Sequence, residues 1–262
     1  MDLGLTDKSV LVMASGSGIG KGIAREFARE GSNVMLFDIS EDALKTAQAE
    51  IGEETGRKPA YTVGSILNPA DIARVVENTE SEFDPIFALV NNTGGPPPGG
   101  FVAFDDDAWQ DAFELTLLGY VRTIRAVLPS MEKGGGGRIV MNTSSSIKRV
   151  IDNLILSNVM RTGIMGLSKS IAREFGPKNI LVNCVGPGKI DTPRVGVIDG
   201  NKAKRIGVSV EELQRAEKAE IPLGRYGTTD EFARYVVWLC SEANTYVSGQ
   251  SMLIDGASIA AY

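Results

Sequence analysis

Short apolar runs alternate with amphipathic stretches along nearly the whole chain, and this alternation constrains the fold more than any single residue. Runs at 10–13, 33–37, 59–63, 87–90, 138–142, 180–185 and 250–254 are short, apolar and bounded by turn-forming residues, which predicts strands. Between them, residues 19–28, 41–51, 69–83, 109–131, 157–175 and 229–239 carry apolar side chains at helical spacing. Most strands are apolar throughout, as parallel strands covered on both faces are. The expectation is an α/β chain: a doubly wound, seven-stranded parallel sheet with helices on both faces, in one domain over residues 1–262. Ligands of such sheets bind beyond the carboxyl ends of the strands.

Three segments interrupt the alternation at that edge. The first strand enters a turn of small residues at 14–18, where backbone N–H groups and the positive end of the next helix converge and glycines let a pyrophosphate approach. Residues 94–100, GGPPPGG, can continue neither helix nor strand and must form a loop. Residues 194–221 are charged, with their best helix at 208–220, and read as a lid or substrate loop.

Composition removes several function classes. The net charge of -6 argues against nucleic acid or an anionic membrane surface as a partner. Histidine is absent, so a Ser-His-Asp mechanism and the usual zinc sites are excluded, and no metal site is expected. Cys184 and Cys240 lie in apolar segments and read as buried structural thiols. Neither a charged-then-apolar leader nor an apolar run of membrane-spanning length is present, which predicts a cytoplasmic chain.

Four separated motifs occur in the order found in the short-chain dehydrogenase/reductase family, which the chain resembles over essentially its whole length. MASGSGIG at 13–20 is similar to the family's T-G-x-x-x-G-x-G, with Met13 and Ala14 in the first two places. NNTG at 91–94 resembles N-N-A-G, PGKIDT at 187–192 resembles P-G-x-x-x-T, and GRYGTTDE from Gly224 resembles G-R-x-G-x-x-x-E. The resemblance implies a Rossmann fold, a nicotinamide cofactor and a small-molecule substrate. Ser15, Gly16, Ser17, Gly18 and Ile19 would cradle the pyrophosphate, and Ser65 and Ile66 would flank the adenine. Asn91, Thr93 and Gly94 would line the adenosine ribose and pyrophosphate. Pro187, Gly188, Ile190 and Thr192 would form the nicotinamide side, with the Ile190 N–H and the Thr192 hydroxyl on the carboxamide.

Asp38, eighteen residues beyond Gly20, ends the second strand. A carboxylate there accepts both ribose hydroxyls of NAD and repels the 2′-phosphate of NADP, and Ser17, Ile39 and Ser40 supply no positive charge for that phosphate. NAD is the expected cofactor, NADP the less favoured one.

The catalytic positions depart from the family pattern. Ser144 matches the carbonyl-orienting serine. The tyrosine position holds Ser157, the lysine position Arg161 and the asparagine position Thr116. An aliphatic hydroxyl is a far weaker acid than a phenol, and arginine stays protonated. Ser144 and Arg161 could still polarise a carbonyl, and Arg161 could hold the nicotinamide ribose. The other ionisable residues near that edge are Lys148, Arg149, Asp152, Lys189 and Tyr226, of which Lys148 or Lys189 could donate the proton if desolvation lowered its pKa.

The reading is an NAD-dependent oxidoreductase on a small carbonyl or alcohol, such as a 3-oxoacyl compound, a sugar or an alcohol, with a non-standard acid/base group. The alternatives are an NAD-binding sensor or assembly partner without turnover, and a lyase or isomerase. The helices at 109–131 and 157–175 correspond to those the family packs between subunits, so a homo-oligomer, tetramer or dimer, is expected.

Overall fold

A computed structural model describes residues 2–261. Seven parallel strands, β1 (Ser9–Met13), β2 (Asn33–Asp38), β3 (Ala60–Val63), β4 (Ile86–Asn91), β5 (Gly137–Asn142), β6 (Ile180–Pro187) and β7 (Ser251–Ile254), form one sheet in the order β3-β2-β1-β4-β5-β6-β7. The expected sheet is therefore present. Its order reverses between β1 and β4, which opens a crevice at their carboxyl ends.

Nine α-helices among the described residues follow from local signals. They are α1 (Gly18–Arg29), α2 (Glu41–Thr55), α3 (Pro69–Glu82), α4 (Asp106–Phe113), α5 (Gly119–Lys133), α6 (Ile155–Phe175), α7 (Pro193–Ile206), α8 (Val210–Ala219) and α9 (Thr229–Leu239). Ser40, Asn68, Asp105, Thr192, Ser209 and Thr228 cap six of them by accepting a backbone N–H in the first turn.

Alternate residues of each strand face opposite layers. Val10 and Val12 of β1 pack with Ile23 and Phe27 of α1 and Phe232 and Val236 of α9. Leu11 and Met13 pack with Tyr120 and Ile124 of α5 and Ile164 of α6 on the other face. A smaller cluster joins α4 to α6 through Ala112, Leu156 and Met160. Both cysteines are buried and free, and burial pushes the Cys184 thiol up to about 11.

Two expectations are corrected. The single helix at 109–131 is α4 and α5 joined by a π-helical turn, Glu114–Leu118, which buries Thr116. Such turns insert one residue into a continuous helix, leaving apolar periodicity almost unbroken. The segment 194–221 holds a further helix besides the one expected at 208–220, because Thr192 caps α7, Pro193 starts it and Gly207, at φ +75°, ends it. Gly196 and Gly200 had blurred its pattern.

Candidate active site at the carboxyl edge of the sheet

The glycine turn is built by steric necessity. Ser17 is the N-cap of α1, Gly18 takes φ +55°, and a Cβ on Gly20 would collide with the Ala14 carbonyl oxygen. Ala14 itself holds φ +46°, left-handed backbone that a methyl group disfavours. Ser15 is fully buried: its hydroxyl donates to the Val12 carbonyl and accepts the Phe37 N–H, so it stitches β1 to β2 and turns away from the open side. Gly16 donates its N–H to Asp38 at 3.0 Å, and Ser40 donates to the other Asp38 oxygen at 3.2 Å. The carboxylate is thus fixed beside the turn. Ile19 packs partly into the core. Ser65 donates its N–H to Asp71, and Ile66 is buried against Gly119.

A chain of amides crosses the crevice. Asn142, at the end of β5, donates to Asn92 at 2.7 Å, and Asn92 donates to the Ala14 carbonyl at 3.1 Å. Asn91 donates weakly to the Tyr120 carbonyl. The side-chain oxygens of Asn91, Thr116, Asn142 and Thr143 are buried without a partner. Buried polar atoms call for hydrogen bonds, so this region is prepared for a polar ligand or water. Thr93 and exposed Gly94 continue the edge.

Ser144 caps a 3-10 turn, Ser145–Ile147, by accepting the Ser146 N–H at 3.2 Å, and its carbonyl passes close to Gly186 of β6. Ser157 and Arg161 are four residues apart on α6, hence on one face. Arg161 is 6% exposed: Nη1 donates to the Asn142 carbonyl at 2.8 Å and to the Tyr120 hydroxyl at 3.2 Å, while Nε is buried without a partner. The Tyr120 hydroxyl also donates to the Asn142 carbonyl at 2.7 Å. Tyr120, Asn92 and Asn142 were missed by sequence reasoning. Tyr120 reads as an ordinary core position at helical spacing, and only its contact with Arg161 gives it another role.

On the far side of the crevice, Pro187 ends β6, and Gly188 donates to Ile254 with its Cα face against Asp255. Buried Ile190 bridges to Gly227. Thr192 caps α7 with its methyl facing Gly18 across the crevice. The proposed acids nearby are committed elsewhere. Lys189 pairs with Asp199 at 3.3 Å and Glu217 at 2.8 Å. Tyr226 donates to fully buried Asp199 at 2.9 Å; burial, and then that carboxylate, raise its pKa. Lys148, Arg149 and Asp152 are exposed.

The glycine turn, the fixed Asp38 carboxylate and the orphaned amides fit a dinucleotide laid across the crevice, and together with the sheet they define an α/β protein of the dinucleotide-binding class. The family model described as Enoyl-(Acyl carrier protein) reductase matches residues 13–257. The 3-oxoacyl-[acyl-carrier-protein] reductase FabG of Aquifex aeolicus is 32% identical over 98% of this chain and 99% of its own. That of Chlamydia muridarum is 30% identical over 96% and 97%. The structure of L-sorbose reductase from Gluconobacter frateurii, complexed with NADPH and L-sorbose, is 31% identical with full coverage of both chains and a TM-score of 0.95. The chain belongs to the short-chain dehydrogenase/reductase family.

Proposed function

We propose that the protein is an NAD(H)-dependent oxidoreductase interconverting a small carbonyl compound and its alcohol. The observation that carries this reading is the convergence at one edge of the glycine turn, Thr192, Ser144 and Arg161, with buried polar atoms awaiting partners between them. Gly16, Ser17, Gly18 and Ile19 hold the pyrophosphate, Asp38 the adenosine ribose, and Ile190 and Thr192 the carboxamide. A bound nicotinamide supplies or accepts the hydride. The relatives support the reaction class, and the sorbose reductase is described with NADPH. Asp38 supports NAD in this chain, because a carboxylate fixed beside the glycine turn at the end of the second strand would repel a 2′-phosphate.

Ser144 orients the carbonyl oxygen. Arg161 stabilises developing negative charge from its fixed seat on Asn142 and Tyr120. With Lys189 and Tyr226 committed to the lid, the proton reaches the oxygen from water held among the unpartnered atoms of Thr116, Asn142 and Thr143.

Fluorescence titration with NADH and NADPH, followed by single-turnover reduction of a dicarbonyl, tests the reading. NADH is expected to bind at least tenfold more tightly than NADPH, with the ratio collapsing in Asp38→Ala. Ser144→Ala should slow reduction by roughly 100-fold or more, the scale of one lost transition-state donor. An unchanged rate removes Ser144 from the mechanism. Ser157→Tyr combined with Arg161→Lys should raise the rate if only the acid is missing.

A further inference from the structure

Most arginines near the ends of the sheet are neutralised. Arg25 and Arg29 pair with Asp230, and Arg225 forms two contacts with Glu231. The two arginines at the crevice are different. Arg161, 6% exposed, spends Nη1 on a carbonyl and a hydroxyl, neither of them charged, and its Nε has no partner. Arg194, the second residue of α7, lays its guanidinium over the loop after β4: Nη2 lies 2.8 Å from where a Cβ on Gly95 would stand, and Nη1 3.9 Å from that of Gly94. Glycine at 95 is what makes room for it.

Arg161 is seated on Asn142 at the end of β5, and Arg194 lies over the loop that leaves the neighbouring strand β4, so the two guanidiniums stand at the ends of paired strands. Desolvation of the Arg194 guanidinium, and then the charge of Arg161, lower its pKa. Among the described residues no carboxylate forms an ion pair with either, in a chain of net charge -6. The start of a fourteen-residue helix adds its positive end at the same place.

We propose that Arg194, reinforced by the charge of Arg161, forms an anion subsite for the substrate, so that the protein acts on a carbonyl or alcohol bearing an acid group, a carboxylate or a phosphate. This rests on the oxidoreductase reading and narrows its substrate class. On the oxidoreductase reading the pyrophosphate lies between the glycine turn and Gly94, and Arg194 sits nearer to Gly95, the next residue outward in the loop after β4. That loop continues to the bridge between Gly99 and Leu154 at the start of α6, the helix that carries Ser157 and Arg161. Guanidinium forks match the two oxygens of a carboxylate and also bind phosphate.

Calorimetric titration with oxalate, acetoacetate, inorganic phosphate and neutral methyl acetoacetate, with and without saturating NADH, tests the subsite. At least one anionic probe is expected to bind at least tenfold more tightly than the neutral ester, with the carboxylate and phosphate probes separating the two acid classes. Arg194→Ala should weaken that probe at least tenfold while changing the NADH dissociation constant less than twofold, and Arg194→Lys should recover part of the loss. Because Arg194 is exposed at a helix start, these variants should fold. Equal binding of acid and ester, or an unaffected Arg194→Ala, overturns the proposal. A loss that falls on NADH also overturns it and assigns the arginine to the cofactor. Failure of NADH to bind would sink the oxidoreductase reading alone, since anion binding is read on the cofactor-free protein as well.

Discussion

Ala14 is one of two alanines, with Ala257, that the described chain holds in left-handed backbone. Its φ of +46° is left-handed, and the Asn92 amide fixes its carbonyl in that geometry. Removing the methyl relieves strain of about 1–2 kcal/mol, and the greater freedom of glycine in the unfolded chain returns about 0.5–1 kcal/mol of that. Ala14→Gly is therefore expected to stabilise the protein by up to about 1 kcal/mol in urea unfolding, with NADH bound slightly more tightly. Glu231 gives the opposite kind of residue effect. The Arg225 guanidinium and the Thr228 N–H hold its carboxyl down to about 2, against an ordinary 4.5. A depressed carboxyl stabilises the fold fully above the unfolded value and loses that contribution as pH falls towards 2. Glu231→Gln should lower the unfolding temperature at pH 7, and the two proteins should converge between pH 4.5 and 2.

At the scale of elements, α7 and α8 are held by charge more than by apolar contact. Asp199 of α7 is fully buried and gathers Lys189, Tyr226 and Gln214, while Glu217 of α8 gathers Lys189 and Lys202. Asp199→Ala would leave those donors short of an acceptor, at about 1–3 kcal/mol. Amide hydrogen exchange over residues 193–219 should accelerate at least about fivefold while the sheet is unchanged. The sequence made the strands and most helices legible because burial on both faces writes itself as apolar runs. It hid α7, where the buried side of the helix carries an aspartate and two glycines face outward. It hid the π-helical turn because one inserted residue barely shifts a helical pattern. The site was legible where backbone sterics demand glycine or a cap, as at Gly18, Gly20 and Thr192. Tyr120 takes its place through a contact with Arg161, in a distant segment to which no local pattern points, and Asn92 sits within NNTG but gains its role only through Ala14 and Asn142.

Across the whole molecule, α5 and α6 leave a half-buried apolar face that includes Leu117, Leu128, Leu167 and Ile171, with Val159 exposed. Covering such a face with a second copy is the simplest way to remove it from water. Light scattering after size exclusion is expected to give a dimer or tetramer, and Leu167→Glu should shift the mass towards the monomer. No helix among the described residues is long and apolar enough to cross a membrane. Two short bridges set how this body opens. Gly99 pairs with Leu154, which ties the loop after β4 to α6, and Ile190 pairs with Gly227, which ties the strand β6 exit to the start of α9. The partly exposed pairs of Glu217 with Lys189 and Lys202 are open to screening, so the grip of α7 and α8 on the rest of the edge is expected to slacken as salt is added, which amide exchange over residues 193–219 would register.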